Sequence, residues 1–176
     1  LSMAGFEVES VEDLSRNAKG VVVGFVEKRE QHPNADKLSV CQVDVGDEAP
    51  LQIVCGAQNI KDGVHVPVAK IGASLPTKGL DIKPTEIRGV SSAGMICSLE
   101  ELGLPSSENG ICILEEIAEE IPAVGEPILS LLGLDDIILD IAVTANRPDG
   151  LCMVGIATEV SALTNQNLRV PKISEN

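Results

Sequence analysis

The chain has 176 residues, of which 44% are hydrophobic and only 1% are aromatic. It can therefore bury a core, but it has almost no aromatic surface on which nucleic-acid bases could stack. The net charge of −14 argues against a generally basic nucleic-acid-binding coat.

Cellular context is indicated by what the sequence lacks. No apolar run is long enough to span a membrane as a helix, and the chain does not open with a signal-peptide pattern. The five cysteines are scattered, without a CxxC pair. This usage indicates a reduced, cytoplasmic protein rather than a disulfide or zinc scaffold.

The charge is unevenly distributed. Residues 14–98 carry ten Lys or Arg residues against nine Asp or Glu residues, whereas residues 99–140 carry eleven acids and no Lys or Arg. The net charge is thus mostly a property of the second stretch, whose acids we interpret as a solvated face. The first stretch leaves room for a modest phosphate-facing surface.

The first three predicted strands follow one another closely. Residues 21–30 open with a β-branched run, 37–45 alternate polar and apolar side chains, and 51–55 form a short apolar run. HPNAD at 32–36 predicts a turn between the first two, because Pro33 fixes its own φ and the Asx side chains close local hydrogen bonds.

Two further strands complete a predicted small barrel. Residues 64–71 form the fourth, with Pro67 indicating an edge position or a bulge. Residues 80–88 form the fifth, and 94–97 continue the sheet. Several glycines supply the kinks that a closing barrel needs. A five-stranded oligonucleotide/oligosaccharide-binding (OB) barrel fits this pattern, although periodicity does not fix the topology.

After residue 98 the sequence pattern no longer predicts a series of strands. Ser98 and Glu101 have the spacing of a capping box at a helix start. Residues 110–114 predict a short strand, and 127–132 predict a short helix that ends at Gly133.

The two chain ends have no partner within the barrel. A strand is predicted over 137–143, and Asp149 is placed to cap a helix whose apolar stripe needs something to pack against. We therefore expect a mainly β protein with some α structure, in which an OB-type barrel is inserted into a partial α+β domain formed by the ends. The expected boundaries are 1–13 and 128–176 for the split domain and 14–127 for the barrel with its extension; the start at Leu1 and the stop after a helix also suggest an excised fragment.

Enzymatic and metal signatures are weak. There is no P-loop or GxGxxG motif, and GVSSAG at 89–94 has the wrong spacing for a nucleophile elbow. His32, His65, Cys41 and Cys55 lack the short pair spacing of a metal site, so a turn histidine, a strand histidine and core cysteines are the simpler interpretation. Ca²⁺ binding by the acids has no supporting loop spacing. No catalytic or metal-binding residue is predicted.

Three segments place polar groups at strand ends and turns of one barrel: HPNADKL at 32–38, IVCGAQNI at 53–60 and RGVSSAGMICS at 88–98. Such groups suit contacts to phosphates and 2′-hydroxyls of RNA without base stacking. The alternative is structural, with Asn59 capping a loop and Arg88 pairing with a surface acid. The candidate RNA-contacting residues are Lys37, Asn59, Lys83, Arg88, Ser91 and Ser92, with Lys83 chosen for its place on the fifth predicted strand.

These three segments, in this order, resemble the tRNA-binding barrel domain of several synthetases and their cofactors. The tail, with LGLDD at 132–136, DIAVTANRPD at 140–149 and GIATEV at 155–160, is similar to the β-subunit family of bacterial phenylalanyl-tRNA synthetases, as is the opening MAGFEVE at 3–9.

The resemblance implies a tRNA-binding module of an α2β2 ligase that charges tRNA(Phe) with phenylalanine, using ATP and Mg²⁺. It places both catalytic centres of that enzyme outside this segment, so it implies no catalytic residue here, no cofactor in this segment, and neither DNA nor a membrane as a partner. Two alternatives stay open: a structural module that binds protein, such as the α subunit, and a free-standing tRNA-binding protein.

Overall fold

The computed structural model describes residues 1–2, 5–106 and 110–171. The chain divides into two compact units, one of Leu14–Asp136 and one of Leu1–Asp13 with Ile137–Asn176. The elements in chain order are β1 (Glu7–Asp13), β2 (Val21–Gln31), β3 (Ser39–Asp44), β4 (Leu51–Cys55), β5 (His65–Lys70), β6 (Ser74–Leu75), β7 (Leu80–Asp81), β8 (Thr85–Ile87), β9 (Val90–Ser92), β10 (Gly94–Ile96), β11 (Ile137–Ala142) and helix α1 (Met153–Thr164).

The larger unit contains a nearly closed five-stranded antiparallel barrel with the strand order β10-β5-β2-β3-β4. The two edges are joined where the Ala93 N–H donates to the Gln52 carbonyl oxygen at 2.8 Å. The four strands predicted over 21–30, 37–45, 51–55 and 64–71 are confirmed. An OB-type barrel is therefore the correct fold class.

Strand β2 explains why its sequence is a nearly continuous apolar run. Val21 and Val23 pack into one buried cluster, whereas Val22 and Val26 pack into another. The strand is thus covered on both faces over its first half, which removes the need for polar alternation. At Gly24, an added Cβ would lie 2.5 Å from Val68 Cγ2 and 2.9 Å from Val43 Cγ1, so glycine leaves room for side chains from both neighbouring strands.

The two clusters are the barrel interior and an outer layer. The interior cluster includes Val43, Ile53 and Val66. The outer layer joins β2 and β5 to apolar residues of the 97–134 extension, among them Leu102, Leu114, Ile128 and Leu134.

Pro67 lies in an interior strand, so its predicted edge position is wrong. It pairs with Val23 without a bulge, and its carbonyl accepts from the Cys97 N–H. Because the N and O of one residue point to the same neighbour, its nitrogen faces Cys97, whose own carbonyl accepts from the Cys112 N–H. Proline is tolerated because no donor is needed at this point.

The predicted fifth strand over 80–88 is also wrong. Its residues belong to two short ladders, β6–β7 and β8–β9, and β10 takes the fifth place in the barrel. Lys83 lies between the two ladders and outside any strand. Pro84, which cannot donate to a ladder, separates them.

The extension differs from prediction in its local structure. The capping-box hydrogen bonds form, since the Ser98 N–H donates to Glu101 Oε2 at 2.7 Å and the Glu101 N–H donates to Ser98 Oγ at 3.3 Å. They open only a 3-10 turn, Glu100–Leu102. Residues 110–114 form no strand, and 127–132 form no helix: Pro127 makes an isolated β-bridge with Val22, and turns follow at 129–132.

In the smaller unit, β1 pairs antiparallel with β11, from Glu7 with Ala142 to Asp13 with Ile137. Helix α1 has no buried side chain. Its predicted cap is wrong, because Cys152 Sγ, not Asp149, accepts from the Gly155 N–H.

Asp149 instead binds Arg147 in the same unit. The Arg147 guanidinium donates to both Asp149 oxygens and to Glu159 Oε2, and it lies 4.2 Å from the centre of the Phe6 ring. These hydrogen bonds lower the pKa of Asp149. Arg147 therefore ties the segment before β1 to helix α1.

Candidate nucleic-acid interface

Two loops of the barrel are hydrogen-bonded to each other. One, residues 32–38, connects β2 to β3, and the other is the β8–β9 hairpin within the connection from β5 to β10. His32 Nε2 lies 3.0 Å from the Ile87 carbonyl oxygen, and Asn34 Nδ2 donates to the Arg88 carbonyl at 3.0 Å. The Asn34 N–H donates to His32 Nδ1, so the proton of the ring is assigned to Nε2. The first and third sequence segments are thus brought together.

Arg88 is held at the tip of the hairpin. Ile87 pairs with Val90, which leaves Arg88 and Gly89 as a two-residue turn with φ values of 49° and 87°. Such values belong to a type I′ turn, whose first position favours Asn, Asp or Gly. The Arg88 side chain is exposed. The fold therefore presents a cation in a backbone conformation that arginine adopts at a cost.

Three predicted cations are free to contact a ligand. Lys37, Lys83 and Arg88 are exposed, and none of them has a salt bridge to any residue that the structure describes. Three other lysines of the same unit are paired: Lys28 with Glu30 at 2.7 Å, Lys70 with Asp47 at 2.7 Å and Lys78 with Glu100 at 3.5 Å. Lys19 and Lys61 are exposed and, like the candidates, have no salt bridge among the described residues. For Arg88, the alternative of a surface ion pair therefore finds no support in the described residues.

Two of the predicted polar residues already have partners inside the barrel. Asn59 Nδ2 donates to the Ile111 carbonyl at 2.9 Å and its Oδ1 accepts from the Ile111 N–H at 3.1 Å. Ser92 is 3% exposed; its Oγ accepts from the Val54 N–H and donates to the Gly94 carbonyl, both at 3.1 Å. These side chains fix the backbone around the site.

Ser91 is exposed on β9 beside this surface. Its carbonyl accepts from Gln52 Nε2 at 2.8 Å, and Gln52 Oε1 accepts from Gln42 on the neighbouring strand at 3.4 Å. Sequence reasoning missed this glutamine pair and the linking roles of His32 and Asn34. The alternation of β3 and β4 placed the glutamines on one face, but only the folded hairpin shows what they support.

A cleft of about 580 Å³ lies between the end of β4 and the 80–87 segment. Lys83 and Ser92 are among its lining residues, whereas Lys37, Asn59, Arg88 and Ser91 are not. Lys37 and Arg88 thus lie exposed on the two linked loops, and Lys83 lies at the neighbouring cleft.

Four other titratable groups of the larger unit, His65, Glu115, Cys41 and Cys97, have structural roles. His65 Nδ1 lies 2.7 Å from Glu115 Oε1, and the His65 N–H donates to the same carboxylate. Burial acts to raise the pKa of Glu115, but the hydrogen bonds from His65 outweigh it and the pKa is lowered. Burial raises the pKa of Cys41 and Cys97 to about 12, which keeps these thiols protonated and unreactive.

The described residues lack the signatures of a metal site and of a membrane-spanning helix. Within residues 1–2, 5–106 and 110–171, no group of three or more His, Cys, Asp or Glu side chains is arranged to hold a metal ion. In the same ranges no helix has the length and apolarity needed to cross a bilayer.

Curated relatives match nearly the whole chain. It is 64% identical over 173 residues to the phenylalanine–tRNA ligase β subunits of Prochlorococcus marinus strain MIT 9313 and Synechococcus sp. strain CC9605. Each match covers 98% of this chain and 21% of the relative, so the chain spans about a fifth of their length. Among solved structures, the C-terminal domain of Plasmodium vivax p43 is 27% identical, with 61% of this chain and 57% of that chain covered and a TM-score of 0.44.

The match to a protein-family model covers the residues that form the barrel. The model described as "Putative tRNA binding domain" matches residues 21–122, a range that runs from the start of β2 through all five barrel strands and most of the outer layer. This range contains every candidate residue of the interface. The chain therefore belongs to the putative tRNA-binding domain family.

Proposed function

We propose that the barrel contacts the phosphate backbone of tRNA through Lys37, Lys83 and Arg88. The observation that carries this proposal is that three exposed cations, without a salt bridge to any described residue, lie in the 32–38 loop and in the connection from β5 to β10. In OB barrels, the loops between the first and second strands and between the fourth and fifth strands bind oligonucleotides. The cations here occupy those two loops.

The remaining candidates divide into two roles. Ser91 is exposed and offers a hydroxyl to a ribose 2′-OH or a phosphate. Asn59 and Ser92 have a structural role, since their side chains bind the backbone of Ile111, Val54 and Gly94.

We propose further that the chain is a segment of a phenylalanine–tRNA ligase β subunit, in which it orients tRNA(Phe) without performing catalysis. Identities of 55–64% over 98% or more of the chain support this. In the intact cytoplasmic enzyme, an α2β2 heterotetramer with the α subunit as partner, ATP and Mg²⁺ would serve the aminoacylation centre. The pairing of β1 with β11 and the compact unit Leu14–Asp136 support a barrel inserted into a domain that the two chain ends form.

The test is Arg88→Ala in the intact enzyme. We expect the KM for tRNA to rise about three- to tenfold, the effect of one lost charged contact, while amino-acid activation stays unchanged. Lys78→Ala is the matched control, because Lys78 is already paired with Glu100. An Arg88→Ala enzyme with wild-type tRNA kinetics would overturn the assignment.

A second candidate function is protein binding. Helix α1 exposes Met153 to 82% and Leu163 to 51%, and exposed apolar faces mark interaction surfaces. A gel shift at low salt separates the two functions, because retention of tRNA supports the first and no retention supports the second. A free-standing tRNA-binding protein is distinguished from a ligase segment by the length of the reading frame.

A further inference from the structure

The cleft beside the cationic loops has an apolar lining with charged groups among it. Val54, Ala57, Ile82, Ile87, Met95 and Ile111 contribute apolar side chains to its volume of about 580 Å³. Ligand sites are typically clefts of this size, with a few polar groups that fix orientation. No aromatic residue lines it, so a bound base would be held by aliphatic contact instead of stacking.

The charged groups that line the cleft are two carboxylates and one lysine. Asp81, Lys83 and Glu101 line it. Glu101 Oε2 accepts from the Ser98 N–H and hydroxyl at 2.7 and 3.0 Å, whereas Glu101 Oε1 has no hydrogen-bond partner among the described residues. Two carboxylates repel a phosphate, and an ionised carboxylate can only accept hydrogen bonds. The cleft therefore favours an apolar ring with N–H donors, and Lys83 supplies the one charge suited to a phosphate.

We propose that this cleft binds one unpaired guanine nucleotide of the RNA that the barrel contacts, an inference that rests on the proposed function. Guanine carries adjacent N1–H and N2–H donors on its Watson–Crick edge. Because Glu101 Oε2 already accepts two hydrogen bonds from Ser98, the two lone pairs of Glu101 Oε1 are the acceptors for these donors. Proteins read single-stranded RNA on such edges of splayed bases. Lys83 would hold the nucleotide's phosphate at the rim.

The experiment is chemical footprinting of a tRNA(Phe) transcript on the full-length protein. Kethoxal reports the N1 and N2 edge of guanine, and hydroxyl radicals report the backbone. We expect one unpaired guanine to be protected from kethoxal by the wild-type protein. Ala57→Leu, which fills the cleft, should reduce that protection at least fivefold and leave the backbone footprint in place. Ala118→Leu, a change of the same size outside the cleft-lining residues, is the control.

Glu101→Gln keeps a capping-box acceptor for Ser98 but removes the charge, so it tests the cleft if Ala57→Leu fails to fold. We expect at least a threefold loss of guanine protection. Protection that is unchanged in the folded Ala57→Leu or Glu101→Gln protein would overturn the cleft inference and leave the proposed function standing. If the wild-type protein gives a backbone footprint but protects no guanine, the cleft inference is overturned and the proposed function stands. If it gives neither footprint, the proposed function is overturned as well.

Discussion

Arg88 carries a cation in a backbone conformation that suits asparagine or glycine better. Its φ of 49° costs an L-residue roughly 1–2 kcal/mol relative to its preferred regions. Strained residues of this kind concentrate at functional sites, where the surrounding structure holds them. Here the Asn34 hydrogen bond to the Arg88 carbonyl contributes to that support.

Replacing Arg88 by Asn should therefore change the stability of the protein and its tRNA binding in opposite directions. We expect Arg88→Asn to raise the free energy of unfolding by up to about 1 kcal/mol and to weaken tRNA binding. Urea unfolding and tRNA titration of the same preparation measure the two effects. Arg88→Lys keeps both charge and strain, so its stability should match the wild type. A destabilised Arg88→Asn protein would contradict the role assigned to the turn.

His32 is the residue through which the 32–38 loop holds the hairpin. It is 2% exposed and bonds the Asn34 N–H and the Ile87 carbonyl. His32→Ala leaves these two part-buried groups without their side-chain partner, which costs up to about 1–3 kcal/mol for each group, the value for full burial. We expect a lower midpoint in urea, together with weaker tRNA binding because Lys37 and Arg88 lose their common support.

A matched variant distinguishes loss of the link from general damage. Gln31 also bonds the 32–38 loop, since its Nε2 donates to the Ala35 carbonyl at 3.0 Å, but at an exposed site. Gln31→Ala should change the free energy of unfolding by less than about 0.5 kcal/mol. Equal effects of the two substitutions would argue against a special role for His32.

At the scale of elements, the sequence predicts strands well where pairing is regular and poorly where it is not. The strands around Cys41 and Ile53 alternate in the printed sequence as they do in the barrel. Residues 80–83 also alternate, yet 80–88 form parts of two short ladders, because Pro84 interrupts donation and the Arg88–Gly89 turn reverses the chain. Arginine in such a turn is not a recognisable hairpin signal. Alternation of polar and apolar residues therefore does not distinguish one long strand from two short ladders.

The candidate site was predictable to a similar degree. Exposed cations in motif loops could be named from sequence, since charge and turn position suffice for that. The internal roles of Asn59 and Ser92 could not, because their partners Ile111 and Val54 lie 52 and 38 residues away. Hydrogen bonds of that separation depend on the closed barrel, and no local pattern reports them.

The link between β5 and the extension should depend on pH. The lowered pKa of Glu115 means that its carboxylate stabilises the folded protein at pH values above the unfolded pKa of about 4.3, and that this contribution is lost as the pH falls through the lower folded value. Glu115→Gln should therefore be less stable than the wild type at pH 7, and the difference should shrink below about pH 4. Thermal unfolding from pH 3 to 7 measures it. A constant difference across that range would contradict the ionic role of Glu115.

At the scale of the whole chain, attraction to RNA depends on a few local cations instead of on net charge. The chain carries −14 overall, and residues 99–140 hold many of its acids without any Lys or Arg. Such a distribution gives weak binding by the isolated barrel. Its contribution to a larger enzyme would come through the effective concentration that linkage provides.

The salt dependence of tRNA binding tests this view. If Lys37, Lys83 and Arg88 each neutralise one phosphate, the slope of log K against log salt concentration should be about −2 to −3, since each contact contributes roughly −0.7 to −0.9. Each single alanine substitution should make the slope shallower by about 1, whereas Lys78→Ala should leave it unchanged because that lysine is paired with Glu100. A slope steeper than about −6, or one that the three substitutions do not alter, would mean that other cations hold the RNA. Fluorescence anisotropy titrations at about 50 to 200 mM salt measure this slope, because binding changes strongly over that range.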